Sequence, residues 1–333
     1  MSSSAKIPLS VLDLAMVPDG ASSSEAFAQT TALAQAAERL GYRRIWVAEH
    51  HNMATVASTM PPVLMAHLAA NTTTIKVGSG GVMLPNHAPL AVAEQFAMLE
   101  ALYPGRVDMG VGRAPGTDGA TALALRGARH DPTSEDFPRN LIDVMGLLGD
   151  VRSEDGLWNR FKATPVSTTS PSVIPLGSSG FSAQLAGILG LPFGFAHHFD
   201  MGGTIEAVGI YRDNFRPSPV LDDPYVIVTA STIAAETTDQ ARFIAAPARL
   251  RRLGLRTGRM IPMLSPEQAL EHPDMERAAN MTVNSLVGTA DEVTEGMSEL
   301  VERTNADELM LYTSTYALAD RLTSLELIAN AWF

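Results

Sequence analysis

Residues 45–51 read Ile-Trp-Val-Ala-Glu-His-His, and this stretch decides the predicted fold class. Its first four residues form a short apolar run between polar neighbours, which is typical of a parallel strand buried on both faces. Glu49, His50 and His51 follow where that strand ends, and active sites of α/β proteins collect at the carboxyl ends of their strands. Position alone leaves two interpretations open: a functional group, or a solvated strand end with a structural histidine.

Strand-like and helix-like segments alternate along the whole chain. The predicted strands are Ile7–Asp13, Arg44–Ala48, Ile75–Leu84, Arg106–Val111, Val173–Leu176, Phe193–Ala196, Tyr225–Ala230 and Glu308–Thr313. The predicted helices are Glu25–Leu40, Thr59–Ala70, Leu90–Leu102, Phe137–Leu148, Ser182–Leu189, Ile205–Phe215, Glu236–Arg251, Asp291–Thr304 and Ala317–Asn330. This pattern predicts an α/β fold of the (β/α)8 TIM-barrel class with insertions, and a doubly wound sheet is the alternative.

The domain organisation follows from the absence of any linker or low-complexity stretch, so we expect residues 1–333 to form one barrel domain. Two segments depart from the regular spacing, Arg152–Ser172 and Arg252–Val287. Long irregular insertions are often functional, so 252–287 is either a mobile lid or a tolerated surface insertion. Thr289 and Glu292 fit a capping box at the start of the helix that follows.

The composition excludes several classes of function. The formal net charge is −12 and the sequence pI is about 5.1. This acidity disfavours a nucleic-acid partner, which would need a concentrated basic face. The absence of cysteine excludes disulfides, thiolate nucleophiles, zinc–thiolate sites and iron–sulfur clusters. The sequence shows no signal peptide or membrane span, so we expect no membrane association and a cytoplasmic location.

Three glycine-containing segments lie within predicted strands or directly after them. Gly80 and Gly81 lie in the third strand, where bare backbone suits either a flat ligand or a tight barrel corner. Arg113 stands between glycines after the fourth strand and is interpreted as an anion clamp, with a surface ion pair as the alternative. The segment 177–182, Gly-Ser-Ser-Gly-Phe-Ser, leads into a helix and favours a phosphate site over an ordinary serine N-cap.

Histidine pairs invite a metal-site hypothesis, because His50 and His51 follow Glu49, and His197-His198 lies near Asp200. Adjacent residues of a strand point to opposite faces, so one pair can hardly ligate one metal ion. We therefore expect no metal. The same alternation directs His50 towards the site and leaves His51 in a supporting position.

Six segments in order along the chain carry a resemblance to a known family: Ala48–Asn52, Val77–His87, Ala93–Phe96, Tyr103–Thr117, Gly177–Ala183 and Ala306–Met310. The chain resembles the bacterial luciferase-like family of flavin-dependent monooxygenases, particularly a group of small luciferase-like proteins. The resemblance implies a (β/α)8 barrel with FMN at its carboxyl face. His50 matches the catalytic histidine of that family, and the Gly80-Gly81 step matches a non-prolyl cis peptide beneath the flavin ring.

The resemblance also implies how the flavin phosphate is held. Arg113 matches the phosphate arginine and Ser178 a phosphate-site serine, within the cofactor-binding segment Gly177, Ser178, Ser179, Gly180 and Phe181. Luciferase has a carboxylate where this chain has Gly177, and a reactive cysteine where it has Gly112. These departures leave aldehyde specificity and light emission open.

The predicted function is a two-component monooxygenase that takes reduced FMN from a separate flavin reductase and uses O2 to oxidise a small organic molecule. Within the same barrel, a reductase dependent on the deazaflavin F420 is the nearest alternative. A catalytically silent flavin-binding protein and a metal hydrolase are alternatives from other classes. The resemblance further implies a homodimer. No feature of the sequence identifies the organic substrate.

Overall fold

The computed structural model describes residues 6–126, 136–199 and 202–333. Its strands are β1 Leu9–Asp13, β2 Arg44–Val47, β3 Lys76–Met83, β4 Val107–Gly112, β5 Ser172–Gly177, β6 Phe193–Phe195, β7 Val226–Ala234, β8 Leu286–Gly288 and β9 Glu308–Tyr312. Its helices are α1 Ser23–Arg39, α2 Pro61–Ala70, α3 Pro89–Leu102, α4 Gly119–Arg126, α5 Phe137–Leu147, α6 Gly180–Leu189, α7 Thr204–Asn214, α8 Thr238–Arg256, α9 Pro266–Glu271, α10 Met275–Ala279, α11 Ala290–Thr304 and α12 Leu318–Trp332.

Eight parallel strands close into a barrel in the order β1-β2-β3-β4-β5-β6-β7-β9, with β9 returning to β1. Val11 of β1 lies opposite Ile45 of β2, and Phe193 of β6 lies opposite Val226 of β7. Among the described residues, the short strand β8 pairs only with the far end of β7, where Leu286 lies opposite Thr232. The predicted (β/α)8 TIM barrel is therefore confirmed, because the sheet closes and leaves no edge within the barrel.

Several predicted boundaries were wrong where the local signals are weak. The polar loop predicted after β4 contains the helix α4, and α6 begins at Gly180 rather than Ser182. The segment 252–287 is more regular than predicted, because it holds the end of α8, two short helices and the start of β8. Helices and strands this short carry too few residues for a periodic pattern. That the segment moves as a lid stays a prediction.

The amino-end half of the barrel interior is filled by a buried polar network centred on Arg44. The guanidinium donates to Asp108 Oδ2 at 2.8 Å and pairs with Glu308 Oε1 at 2.8 Å. Trp46 donates from Nε1 to the same Asp108 oxygen at 3.1 Å. Buried charges need such partners, and this end of a TIM barrel supports stability. This network lies away from the carboxyl ends of the strands, where the active sites of TIM barrels are found.

Candidate functional site

A cavity opens at the carboxyl ends of the barrel strands, with a volume of about 910 Å³ including its opening to solvent. Most of its wall is apolar, and polar groups converge on it from β2, β4, β5 and β6. The lining residues are Leu12, Leu14, Trp46, Ala48, His50, Gly80, Gly81, Met83, Gly112, Arg113, Ala114, Leu176, Gly177, Ser178, Ser179, Ser182, Gly194, Phe195, Ala196, His198, Phe199, Thr229 and Met310. An apolar cleft with a few placed polar groups is the usual form of a small-molecule site.

The buried carboxylate of Glu49 joins the loops beside this cavity. Its Oε1 accepts from His51 Nε2 at 3.0 Å and from His87 Nε2 at 2.8 Å, while Oε2 accepts from the backbone N–H of Met83 at 3.0 Å. Burial alone would raise the pKa of Glu49, but the hydrogen bonds from the two imidazoles and the Met83 amide lower it. Glu49 therefore stays ionised and holds the end of β2 against the end of β3.

His50 lines the cavity while His51 turns away to Glu49, as strand alternation predicted. The His50 side chain donates from Nδ1 to the carbonyl of Gly116 at 3.1 Å, and its backbone N–H donates to Ser58 O at 3.0 Å. A donating Nδ1 leaves the lone pair of a neutral imidazole on Nε2. Burial lowers the pKa of His50 below its ordinary value, so the neutral form prevails at pH 7.

Gly80 and Gly81 present bare backbone to the cavity, and the peptide bond between them is cis, as the resemblance implied. A Cβ on Gly80 would lie 2.9 Å from Leu12 Cδ1, and one on Gly81 would lie 2.8 Å from the Gly110 carbonyl oxygen. A side chain at either position would therefore clash with the neighbouring strand or the core, whether or not a ligand is bound. The two interpretations of this step, a tight barrel corner and a surface for a flat ring, are compatible.

A cationic and hydrogen-bonding corner lies where β4 and β5 end. Arg113 is half-buried, and its guanidinium carbon lies 4.2 Å from the centroid of the Phe181 ring. No carboxylate pairs with Arg113 among the residues that the structure describes. Ser179 is the N-cap residue of α6, yet its side chain makes no capping hydrogen bond. The first amides of α6 thus remain available to an anion, as at many phosphate sites.

The structure brings together seven of the nine sequence-predicted site residues on the cavity wall: His50, Gly80, Gly81, Arg113, Gly177, Ser178 and Ser179. The other two lie beside the wall rather than on it. Gly180 is the first residue of helix α6, and the ring of Phe181 packs against the Arg113 guanidinium. Phe181 therefore contacts the predicted clamp and not the cavity itself.

Comparison with known proteins identifies the family. The model of the luciferase-like monooxygenase family matches residues 7–308. The chain belongs to this family. It is 44% identical to the uncharacterized protein YvbT of Bacillus subtilis (strain 168) over 328 residues, covering 97% of this chain and 96% of that one.

Two further relatives of this luciferase-like monooxygenase family member match it over nearly its full length. It is 31% identical to the N-acetyl-S-alkylcysteine monooxygenase of Bacillus subtilis (strain 168), over 98% of each chain. The crystal structure of apo-MsnO8 is 34% identical and superposes with a TM-score of 0.90, covering 98% of both chains. Similarity over the full length of these relatives agrees with the barrel described above.

His198 is a cavity residue of this family member that sequence reasoning did not select. It lies in the turn after β6, across the barrel from His50, and its ring centroid lies 4.4 Å from that of Phe199. Its Nδ1 is buried and has no hydrogen-bond partner in the part of the chain that the structure describes. The sequence does contain a signal for this residue, the histidine pair at the end of a strand. That pair was interpreted only as a possible metal site.

The metal hypothesis gains nothing from the structure. Asp200, which the hypothesis included, lies outside the described residues. In the ranges 6–126, 136–199 and 202–333, no three histidine or carboxylate side chains are placed to share a metal ion. None of the helices in those ranges is long and apolar enough to cross a bilayer.

The half-buried imidazole of His198, with its Nδ1 shielded from solvent, predicts a pH-dependent stability. Burial and the charge of Arg252 lower the pKa of His198 to about 3, whereas an unfolded histidine titrates near 6.5. Between these values the unfolded chain binds more protons, so stability falls as pH decreases below 6.5. The native protein is expected to lose unfolding free energy between pH 6.5 and 5. In His198→Gln this loss is expected to be smaller by about 1–2 kcal/mol. Urea unfolding at each pH measures this difference, and an unchanged slope would contradict it.

Proposed function

We propose that this protein is an FMN-dependent monooxygenase of the two-component type, which uses reduced FMN from a separate flavin reductase and O2 to oxidise a small organic substrate. The observation that carries the proposal is that Arg113, which no carboxylate of the described residues pairs with, lies beside the start of α6, whose N-cap side chain makes no capping hydrogen bond. This corner adjoins the bare backbone of Gly80 and Gly81 in one cavity. A phosphate clamp beside a flat surface suits a phosphorylated ring cofactor.

The residues present fit FMN. Arg113, Ser178 and the backbone amides at the start of α6 would hold its phosphate, and the Gly80-Gly81 backbone would face its ring. Reduced FMN, when bound, supplies the electrons that activate O2, which favours FMN over the hydride carrier F420 for a monooxygenase. His50 would accept or return a proton at Nε2, and the apolar wall would keep water out.

The phosphate clamp is tested by comparing ligands with and without the phosphate. We expect Arg113→Met to weaken FMN binding by roughly ten- to a hundredfold, since a charge-assisted hydrogen bond contributes roughly 1.5–3 kcal/mol. Riboflavin, which lacks the phosphate, is expected to bind both proteins equally. Quenching of flavin fluorescence measures both affinities, with F420 titrated alongside. Tight binding of F420 alone would contradict the proposal, as would an equal loss for riboflavin.

We further propose a cytoplasmic homodimer that meets its reductase only transiently. The apolar side chains of Val63 on α2 and of Met98 and Leu102 on α3 are more than half exposed. These two helices pack side by side, so their exposed apolar residues could form one face. We assign this face to a second copy of the chain, because exposed apolar surface marks contact sites.

A further inference from the structure

A second cation beside the cavity has no explanation in the FMN site. Arg251 of α8 is 91% buried, with 9% of its surface exposed. Its only hydrogen-bond acceptor within the described part of the chain is the thioether sulfur of Met16, at 3.3 Å from Nη1. Thioether sulfur is a weak acceptor and carries no charge. A buried guanidinium in such surroundings lacks the anion that normally offsets its desolvation.

The other buried arginines of the protein show what Arg251 is missing. Arg44 is bound by Asp108 and Glu308 within the barrel, and Arg321 donates to Asp13 Oδ1 at 2.8 Å. Both cations are therefore neutralised by carboxylates of the chain itself. No carboxylate of the described ranges pairs with Arg251. Within the described residues, its charge therefore has no anionic partner.

The position of Arg251 places this charge at the mouth of the barrel. Met16, its neighbour, forms a bridge with Val56, and so ties the loop after β1 to the loop after β2. Leu14 packs against the cluster that contains Met16 and also lines the cavity. The charge of Arg251 also reaches His50, whose pKa it helps to lower. Arg251 therefore stands beside the cavity wall on the side of β1 and β2.

Arg113 and Arg251 thus stand on different sides of the cavity. Arg113 lies at the ends of β4 and β5, where the proposed FMN phosphate would be held. Arg251 lies against Met16, on the side where β1 and β2 end, and its charge acts on His50. A phosphate held at the ends of β4 and β5 would not account for Arg251, which leaves this cation for a second anion.

We propose that Arg251 binds a carboxylate of the organic substrate, which makes the substrate a small organic acid with an apolar remainder. This inference rests on the proposed monooxygenase function. The acid group would be held by Arg251 while the apolar part enters the cavity among Leu12, Leu14 and Met310. The name of the related N-acetyl-S-alkylcysteine monooxygenase agrees in chemistry, since an N-acetylated cysteine thioether keeps its carboxylate.

The test compares acids with their own neutral amides. N-acetyl-S-methylcysteine, benzoate and octanoate are titrated by calorimetry into the full chain, with and without FMN, each beside its carboxamide. We expect at least one acid to bind about tenfold or more tightly than its amide, because a hydrogen bond to a charged group contributes roughly 1.5–3 kcal/mol. If no acid binds more tightly than its amide, the proposal is overturned. This comparison uses the native protein alone and requires no variant.

Variants assign the preference to one side chain. Arg251→Met is expected to abolish the preference for the acid, while Arg242→Met, which removes an exposed arginine of the same helix, is expected to keep it. A preference that survives Arg251→Met would overturn the assignment. FMN affinity is measured separately by fluorescence quenching. A native protein that selects acids but does not bind FMN would contradict the proposed function alone and leave the anion site standing.

Discussion

Replacement of His50 by alanine is expected to lower reductase-coupled oxygenation by about 10²–10⁴-fold, the usual contribution of a positioned acid or base. The expectation rests on the orientation of one imidazole. Nδ1 is engaged by the Gly116 carbonyl at 3.1 Å, so a neutral ring offers Nε2 to the cavity. The measurement is incorporation of ¹⁸O from labelled O2 into the acids of the binding panel, with NADH, FMN and a flavin reductase supplied.

The control for this change is His67→Ala, which removes an exposed histidine of α2 and is expected to leave oxygenation unchanged. FMN affinity of His50→Ala is measured in parallel, because a general loss of the cavity would weaken it. Unaltered oxygenation in His50→Ala would show that the histidine is structural. If the native protein binds FMN but oxygenates none of the panel, the alternative of a catalytically silent flavin-binding protein gains support.

Replacement of Glu49 by methionine is expected to cost about 3–5 kcal/mol of unfolding free energy, the range found when one partner of a buried charged network is removed. Methionine has similar length but accepts no strong hydrogen bond. The N–H groups of the buried His51 and of the half-buried His87 and Met83 would then lose their acceptor. Urea unfolding at pH 7 measures the loss.

The matched control is Glu302→Met, since Glu302 is exposed on α11 and its replacement should change stability by less than about 0.5 kcal/mol. A second readout follows from electrostatics. The negative charge of Glu49 raises the pKa of His50 and partly offsets its burial. Glu49→Gln is therefore expected to lower the pKa of His50 further, as measured by NMR titration. A small stability change together with an unmoved His50 pKa would show that the network does not support the site.

Strand identity was predictable because buried parallel strands leave a strong local signal. The apolar run that ends at Ala48 and the final strand Glu308–Tyr312 were both recognised within one residue. The capping box of Thr289 and Glu292 was also confirmed, since both of its hydrogen bonds are local. Strand β8 was missed, because three residues paired only with an extension of β7 show no period of their own.

The sequence by itself determined the succession of strands and helices, the (β/α)8 class and the residues that face the cavity from β2, β3, β4 and β5. These follow from periodicity, glycine and short motifs, all of which act between neighbours in the chain. Tertiary structure alone decided that Glu49 meets His87, that His198 faces the cavity opposite His50, and that Arg251 is buried with no carboxylate partner among the described residues. The physical reason is that burial and charge pairing depend on which distant segments the closed barrel brings together.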